Sequence, residues 1–232
     1  VADPLGVDPT PPLGAAVSTV AEFTRTSPHA IRVLQRHRID FCCGGGRDLT
    51  AASTAAGVTV DQLVAELSAE DGRYKSDERD WYAAPLTELI AYIVVRHHRP
   101  LDEELPRLLA LADKVARVHG GTTHEAVRAL THALIGDLVP HMAKEEQVLF
   151  PWIESGGGAQ CAPPIQAMRH EHQDVAGFLR ELTDVTGYYT APPEACGSWR
   201  ALWTGLGALD ADLRLHIHLE NNILFPRALA GN

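Results

Sequence analysis

One eleven-residue pattern occurs twice in this chain, and it limits the fold more than any other feature. His141-Met-Ala-Lys-Glu145-Glu-Gln-Val-Leu-Phe-Pro151 returns 75 positions later as His216-Ile-His-Leu-Glu220-Asn-Asn-Ile-Leu-Phe-Pro226. Both copies read His-x-x-x-Glu-x-x, then an apolar residue and Leu-Phe-Pro. In a helix, residues i and i+4 lie one above the other on the same face. Each copy therefore brings an imidazole and a carboxylate to one place, and the shared apolar tail turns the same face inward. A single His-x-x-x-Glu is ordinarily a surface pair, but two copies with one tail have no reason to be independent surface pairs.

A fainter repeat supports this reading. His98 and His172 lie 74 positions apart, at the ends of Val-Val-Arg-His-His and Ala-Met-Arg-His-Glu-His. The chain thus reads as a duplicated helical hairpin, each half giving one lone His and one His/Glu pair. The expected metal ligands are His98, His141, His172, His216, Glu145 and Glu220, arranged about a pseudo-twofold axis. Two carboxylates can bridge two metal ions, and mixed imidazole and carboxylate ligation suits iron. Ferritin-like sites use Glu-x-x-His at i, i+3 instead.

Breaks at His119-Gly120-Gly121, at Gly156-Gly157-Gly158 and across the Pro-containing stretch from Ala191 to Gly197 divide the second part into four helices. These fall at about 85–118, 122–153, 163–186 and 198–229, and short loops make the bundle antiparallel. Before it, Asp48 can cap a short helix that Gly57 ends, and Thr59 with Gln62 forms a capping box. Ser27-Pro28 reads as a further helix start. The expected organisation is all-α: a Pro-rich flexible lead-in at 1–12, a small helical domain at 13–69, a charged linker at 70–84 and the bundle at 85–232.

Composition excludes several classes. The formal net charge is -10 and no basic stripe is visible, so nucleic acid is not an expected partner. No stretch approaches the apolar length needed to span a bilayer, and Val1–Leu13 lacks the charged and apolar regions of a secretory signal. With four Cys that show no disulfide framework, a cytoplasmic location is expected. Of the twelve His, those outside the ligand set are assigned bland roles. His97, His170 and His218 should point away from the site, His119, His124 and His132 fall on loops or surface, and His29 and His37 are solvated. Glu146 should project off the site face. Glu171 is either an acid supporting a ligand or simply exposed, as most such residues are.

At these motifs the sequence resembles the haemerythrin-like domains. More specifically it resembles the repair-of-iron-centres proteins, through Asp-Phe-Cys42-Cys43-Gly-Gly-Gly, the two Leu-Phe-Pro segments, Met-Arg-His-Glu-His and Pro-Pro-Glu-Ala-Cys-Gly-Ser-Trp. The resemblance covers about residues 13–230. It implies a non-haem di-iron centre with Glu145 and Glu220 bridging, closed by an oxo or hydroxo bridge. It also implies repair of iron–sulfur clusters damaged by oxidative or nitrosative stress, by donation of labile iron to damaged or apo iron–sulfur proteins. Alternatives are a nitric oxide reductase forming nitrous oxide, or a module that binds or senses oxygen or nitric oxide. The sequence departs from oxygen-carrying haemerythrin at Ala176, where that family has a further His, and at Glu220, where it has Asp one place later. Fewer protein ligands leave open coordination positions.

Cys42 and Cys43 are candidates for a relay of iron or nitric oxide. Successive backbone N–H groups of the glycine loop, the helix begun by Asp48 and nearby Arg47 would stabilise a thiolate. The alternatives are inert buried thiols or a vicinal disulfide.

Overall fold

The computed structural model describes residues 17–27, 29–73 and 79–231. The lead-in expected at 1–12 and the helix start expected at Pro28 lie outside them. The chain divides into two compact units between Glu78 and Arg79. Among the described residues there is no strand, and an isolated bridge pairs Thr19 with Asp48.

The first unit contains α1 (Val20–Thr26), α2 (Ala30–Arg36), α3 (Leu49–Ala55) and α4 (Val60–Arg73). Side-chain caps set the starts of α3 and α4. Asp48 accepts from Ala51 N at 2.8 Å, and Thr59 and Gln62 exchange bonds of 2.8 and 3.2 Å, satisfying amides the helix itself leaves open. Gly57, at φ 76°, ends α3 in a conformation only glycine adopts cheaply. Phe23, Leu34, Phe41 and Leu63 fill the core.

Helix α4 runs through Arg73, into the segment expected to be linker. The acidic run there is a helix face tied to α2: Arg36 pairs with Glu66 and Glu70, both at 2.6 Å. His37 completes this contact with Glu66 at 2.8 Å. His29 is buried rather than solvated.

The second unit is built from α5 (Leu86–Ile93), α6 (Leu101–His119), α7 (Gly121–Lys144), α8 (Phe150–Glu154), α9 (Ala162–Val185), α10 (Gly197–His218) and α11 (Phe225–Ala230). Helix α6 packs on α7 and α10, α7 packs on α9, and α9 packs on α10. This closed ring is the expected four-helix bundle, with boundaries within a residue or two of those read from the sequence. Gly205 permits the approach of α10 to α6, since a Cβ there would lie 2.7 Å from Leu108 Cδ2. Among the described residues, no helix is long and apolar enough to cross a membrane.

Three stretches of π-helix interrupt the regular geometry: Val94–His98, Glu145–Leu149 and Leu219–Leu224. In each, an amide reaches back five residues: Arg99 N to Val94 O at 3.0 Å, Phe150 N to Glu145 O, and Phe225 N to Glu220 O. The next residue is proline every time: Pro100, Pro151 and Pro226. Proline has no N–H to continue the ladder and its ring collides with the carbonyl four residues back. A widened turn just before it relieves that collision. The cost of such turns is commonly found at functional positions, and here each π stretch contains a proposed ligand: His98, Glu145 or Glu220.

Candidate metal centre

The six residues predicted as ligands meet in the interior of the second unit. Two overlapping sets form there: His98 and His216 with both Glu145 and Glu220, and His141 and His172 with the same two carboxylates. All six side chains are buried. Within each set the nitrogen and oxygen atoms lie within 4.8 Å of one another. An ion bonded to such atoms at ~2.1 Å separates neighbouring ligand atoms by ~3 Å and opposite ones by ~4 Å. His216 Nε2 stands 3.0 Å from Glu220, His172 Nε2 3.1 Å from Glu220, and His141 Nε2 3.3 Å from Glu145. These spacings fit a cation at the centre of each set.

The imidazoles are oriented from behind. His98 Nδ1 donates to Glu146 at 2.9 Å, His141 Nδ1 to Glu171 at 2.8 Å, and His172 Nδ1 to Asn221 Oδ1 at 3.0 Å. Carboxylate and amide oxygens only accept, so in these three rings the proton sits outside and the Nε2 lone pair faces the site. That lone pair meets another ring nitrogen: His98 Nε2 lies 3.1 Å from His216 Nε2, and His172 Nε2 lies 3.1 Å from His141 Nε2. Two lone pairs do not converge at this distance unless a proton or a cation lies between them.

The carboxylates carry the same message. The four oxygens of Glu145 and Glu220 are buried and make no hydrogen bond of good geometry among the described residues. Burial alone would lift Glu220 into its neutral form, but His216 and His172 outweigh it and hold its carboxyl well below the usual range. His141 shows the reciprocal effect: burial lowers it, yet Glu145, Glu220 and Glu171 lift it to about 9. Protons on imidazole thus balance the buried negative charge of Glu220, and divalent ions would replace those protons. The residues fit such ions.

Phe150 and Phe225, the aromatic members of the repeated tail, explain why the tail repeats. Phe150 stacks on His98 and Phe225 on His172, each with centroids 5.9 Å apart. Each copy of the motif therefore supplies a His, a Glu and the apolar wall behind the lone His of the same half.

The bland assignments fared unevenly. His97 and His218 lie outside both sets, as expected, but both are buried. His97 Nδ1 meets Asp212 at 3.1 Å and its ring stacks on His216 at 5.6 Å. His170 is exposed. His132 is a surface partner of Asp113, whereas His119 and His124 join Trp199 and Trp203 in an aromatic cluster. Glu146 does not project away from the site: it is the outer partner of His98 and also pairs with Arg99. Glu171 is the outer partner of His141 and also pairs with Lys144. Glu146 and Asn221 occupy equivalent places in the two copies of the motif, and each bonds the lone His of its own half.

Cys42 and Cys43 lie in the first unit. Cys42 is buried and Cys43 partly so, and their sulfurs are 3.9 Å apart without a disulfide. Asp40 Oδ1 accepts from Cys42 N at 3.1 Å and Cys43 N at 3.0 Å. The Cys42 thiol also donates to that oxygen, at 3.2 Å. Gly44 is needed for close approach, since a Cβ would lie 2.6 Å from Asp40 O; the loop glycines do not adopt positive φ. Cys161 is buried, and burial pushes its thiol up. Cys196 is exposed, 3.1 Å from His119 Nε2.

Overlapping His and Glu sets inside a ring of four antiparallel helices define a haemerythrin-like cation-binding bundle, and residues 89–228 match the Hemerythrin HHE cation binding domain. Residues 16–71 match a Domain of Unknown function, DUF542. The iron–sulfur cluster repair protein YtfE of Yersinia pseudotuberculosis serotype IB (strain PB1/+) is 44% identical over 206 residues, covering 88% of this chain and 93% of that protein. YtfE of Yersinia pestis (strain Pestoides F) matches to the same extent. The chain belongs to this family of haemerythrin-domain iron–sulfur cluster repair proteins.

Proposed function

We propose that this protein repairs damaged iron–sulfur clusters, using two iron ions held by His98, His141, His172, His216, Glu145 and Glu220, with both carboxylates shared between the ions. The observation that carries the reading is the pair of overlapping sets with Glu145 and Glu220 common to both, in a chain 44% identical to proteins named for cluster repair. Bound there, iron supplies Lewis acidity, redox capacity and coordination positions that four protein atoms leave open. The protein's own part is orientation and exclusion. Glu146, Glu171 and Asn221 hold three of the rings, and Phe150 and Phe225 seal the wall. Ala176, one turn beyond His172 and buried, brings only a methyl group, so no further imidazole fills an open position.

Iron itself is the cargo in this reading, and damaged or apo iron–sulfur proteins are the recipients. The test is anaerobic mixing of the iron-loaded, reduced protein with a nitric-oxide-damaged iron–sulfur enzyme. Cluster absorbance, iron in each protein and nitrous oxide are followed together. The expected result is a restored cluster matched by iron lost from this protein, without gas. Nitrous oxide with all iron retained would replace donation by reduction of nitric oxide.

The two-part organisation gives two further predictions. A fragment starting at Arg79 should fold and bind two irons, because every proposed ligand follows it. The start must precede Trp81, whose carbonyl accepts from Arg227 Nη1 at 2.7 Å. Soluble helical fragment without iron would contradict the division. In the full chain, the double variant Cys42→Ser/Cys43→Ser should keep its iron yet lose cluster repair in cells, if the pair relays iron or nitric oxide. Alkylation should reach Cys43 before the buried Cys42. Normal repair by the double variant would make the pair structural.

A further inference from the structure

The duplication that built the centre has diverged behind one ligand. A shift of 75 residues carries His141 onto His216 and Glu146 onto Asn221, and a shift of 74 carries His98 onto His172 and His97 onto Glu171. The contacts obey the same symmetry: the Glu146 bond to His98 is matched by the Asn221 bond to His172. The Glu171 bond to His141 should then be matched by a bond from His216 to position 97. That position holds an imidazole, which stacks face to face with His216 at 5.6 Å, 15° from parallel, and spends its own Nδ1 on Asp212. His216 Nδ1 is buried and has no hydrogen-bond partner among the described residues.

The two metal sets are therefore unequal. His141 and His172 both have an outer acceptor, which fixes the ring and makes it a stronger donor. In the other set, among the described residues, only His98 has one, Glu146. Loss of an outer partner typically lowers metal affinity ~10–100-fold. We propose that the ion held by His98 and His216 is the one this protein exchanges and gives up, while the ion held by His141 and His172 remains as the resident half of the centre. This rests on the two-iron reading above, and on no change of oxidation state: the ion leaves as iron(II), and its two imidazoles are left neutral or protonated by solvent.

Fully loaded, reduced protein is mixed anaerobically with excess ferrous chelator, and coloured complex is followed against time. The expected release has two phases of one iron each, the first at least ~10 times faster. Glu171→Gln weakens only the support of His141, so it should speed the slow phase ~10-fold or more and leave the fast phase alone. Glu146→Gln should act on the fast phase alone, which keeps the test open if one variant folds poorly. Iron-57 returned to half-depleted protein should leave again in the fast phase. Release of both irons in one phase, or a Glu171→Gln effect confined to the fast phase, overturns the assignment while leaving the two-iron centre standing. A wild-type chain that takes up fewer than two irons overturns both.

Discussion

Replacing Glu220 or Glu145 by Ala should empty both metal positions at once, whereas replacing any single ligand histidine should cost one. The asymmetry follows from the geometry, because each carboxylate belongs to both sets and each imidazole to one. Removing an outer partner already costs ~10–100-fold in affinity, and losing a ligand atom from both ions should exceed that. Iron per chain, measured after gel filtration, should fall close to zero in either Glu variant. It should stay near one in His98→Ala or His141→Ala. Circular dichroism should remain helical, since the ring of packed helices does not depend on these two side chains for its apolar core. His97→Ala and His218→Ala serve as controls with both irons kept. A Glu variant that keeps one iron would mean the carboxylate serves a single ion.

Phe225→Ala and Phe150→Ala should lower stability and iron content together. Phe225 and Phe150 are 0% and 2% exposed, and truncating a buried Phe costs ~3–5 kcal/mol. For a domain of this size that corresponds to a fall in Tm of roughly 6–20 °C. Each ring is also the stacking surface of a ligand, His172 or His98, so the cavity opens beside the centre. Calorimetry of metal-free protein isolates the packing loss, and iron titration reads the effect on the ligand. Phe225→Leu refills much of the volume and should recover most of both. A Phe225→Ala protein with unchanged Tm would show that the repeated tail is not the wall described above.

The sequence made the candidate site legible because the residues that meet there sit in a periodic repeat. Helical spacing brings His141 and Glu145 together without knowledge of any other helix, and the second copy tells which face is inside. The outer partners were not legible in that way. Glu146 follows a ligand directly, so helical rotation carries it off the face of Glu145, but its role is set by His98 on another helix. The π turns lie inside segments whose spacing reads as regular helix, and the proline directly after each one is their signal in the sequence. Asp40 was overlooked for a related reason. The motif after the cysteines points forward, toward Asp48 and Arg47, while the group that takes the Cys42 and Cys43 amides lies just before them. Charged residues such as Glu70 look like linker until Arg36 is placed beside them.

The most direct test of the central claim is a count of iron-57 in the loaded wild-type protein together with its Mössbauer spectrum. Two irons per chain, coupled to each other through shared ligands and absent in Glu145→Ala and Glu220→Ala, are predicted. One iron per chain, or two that behave as isolated ions, would contradict a centre in which Glu145 and Glu220 are held in common.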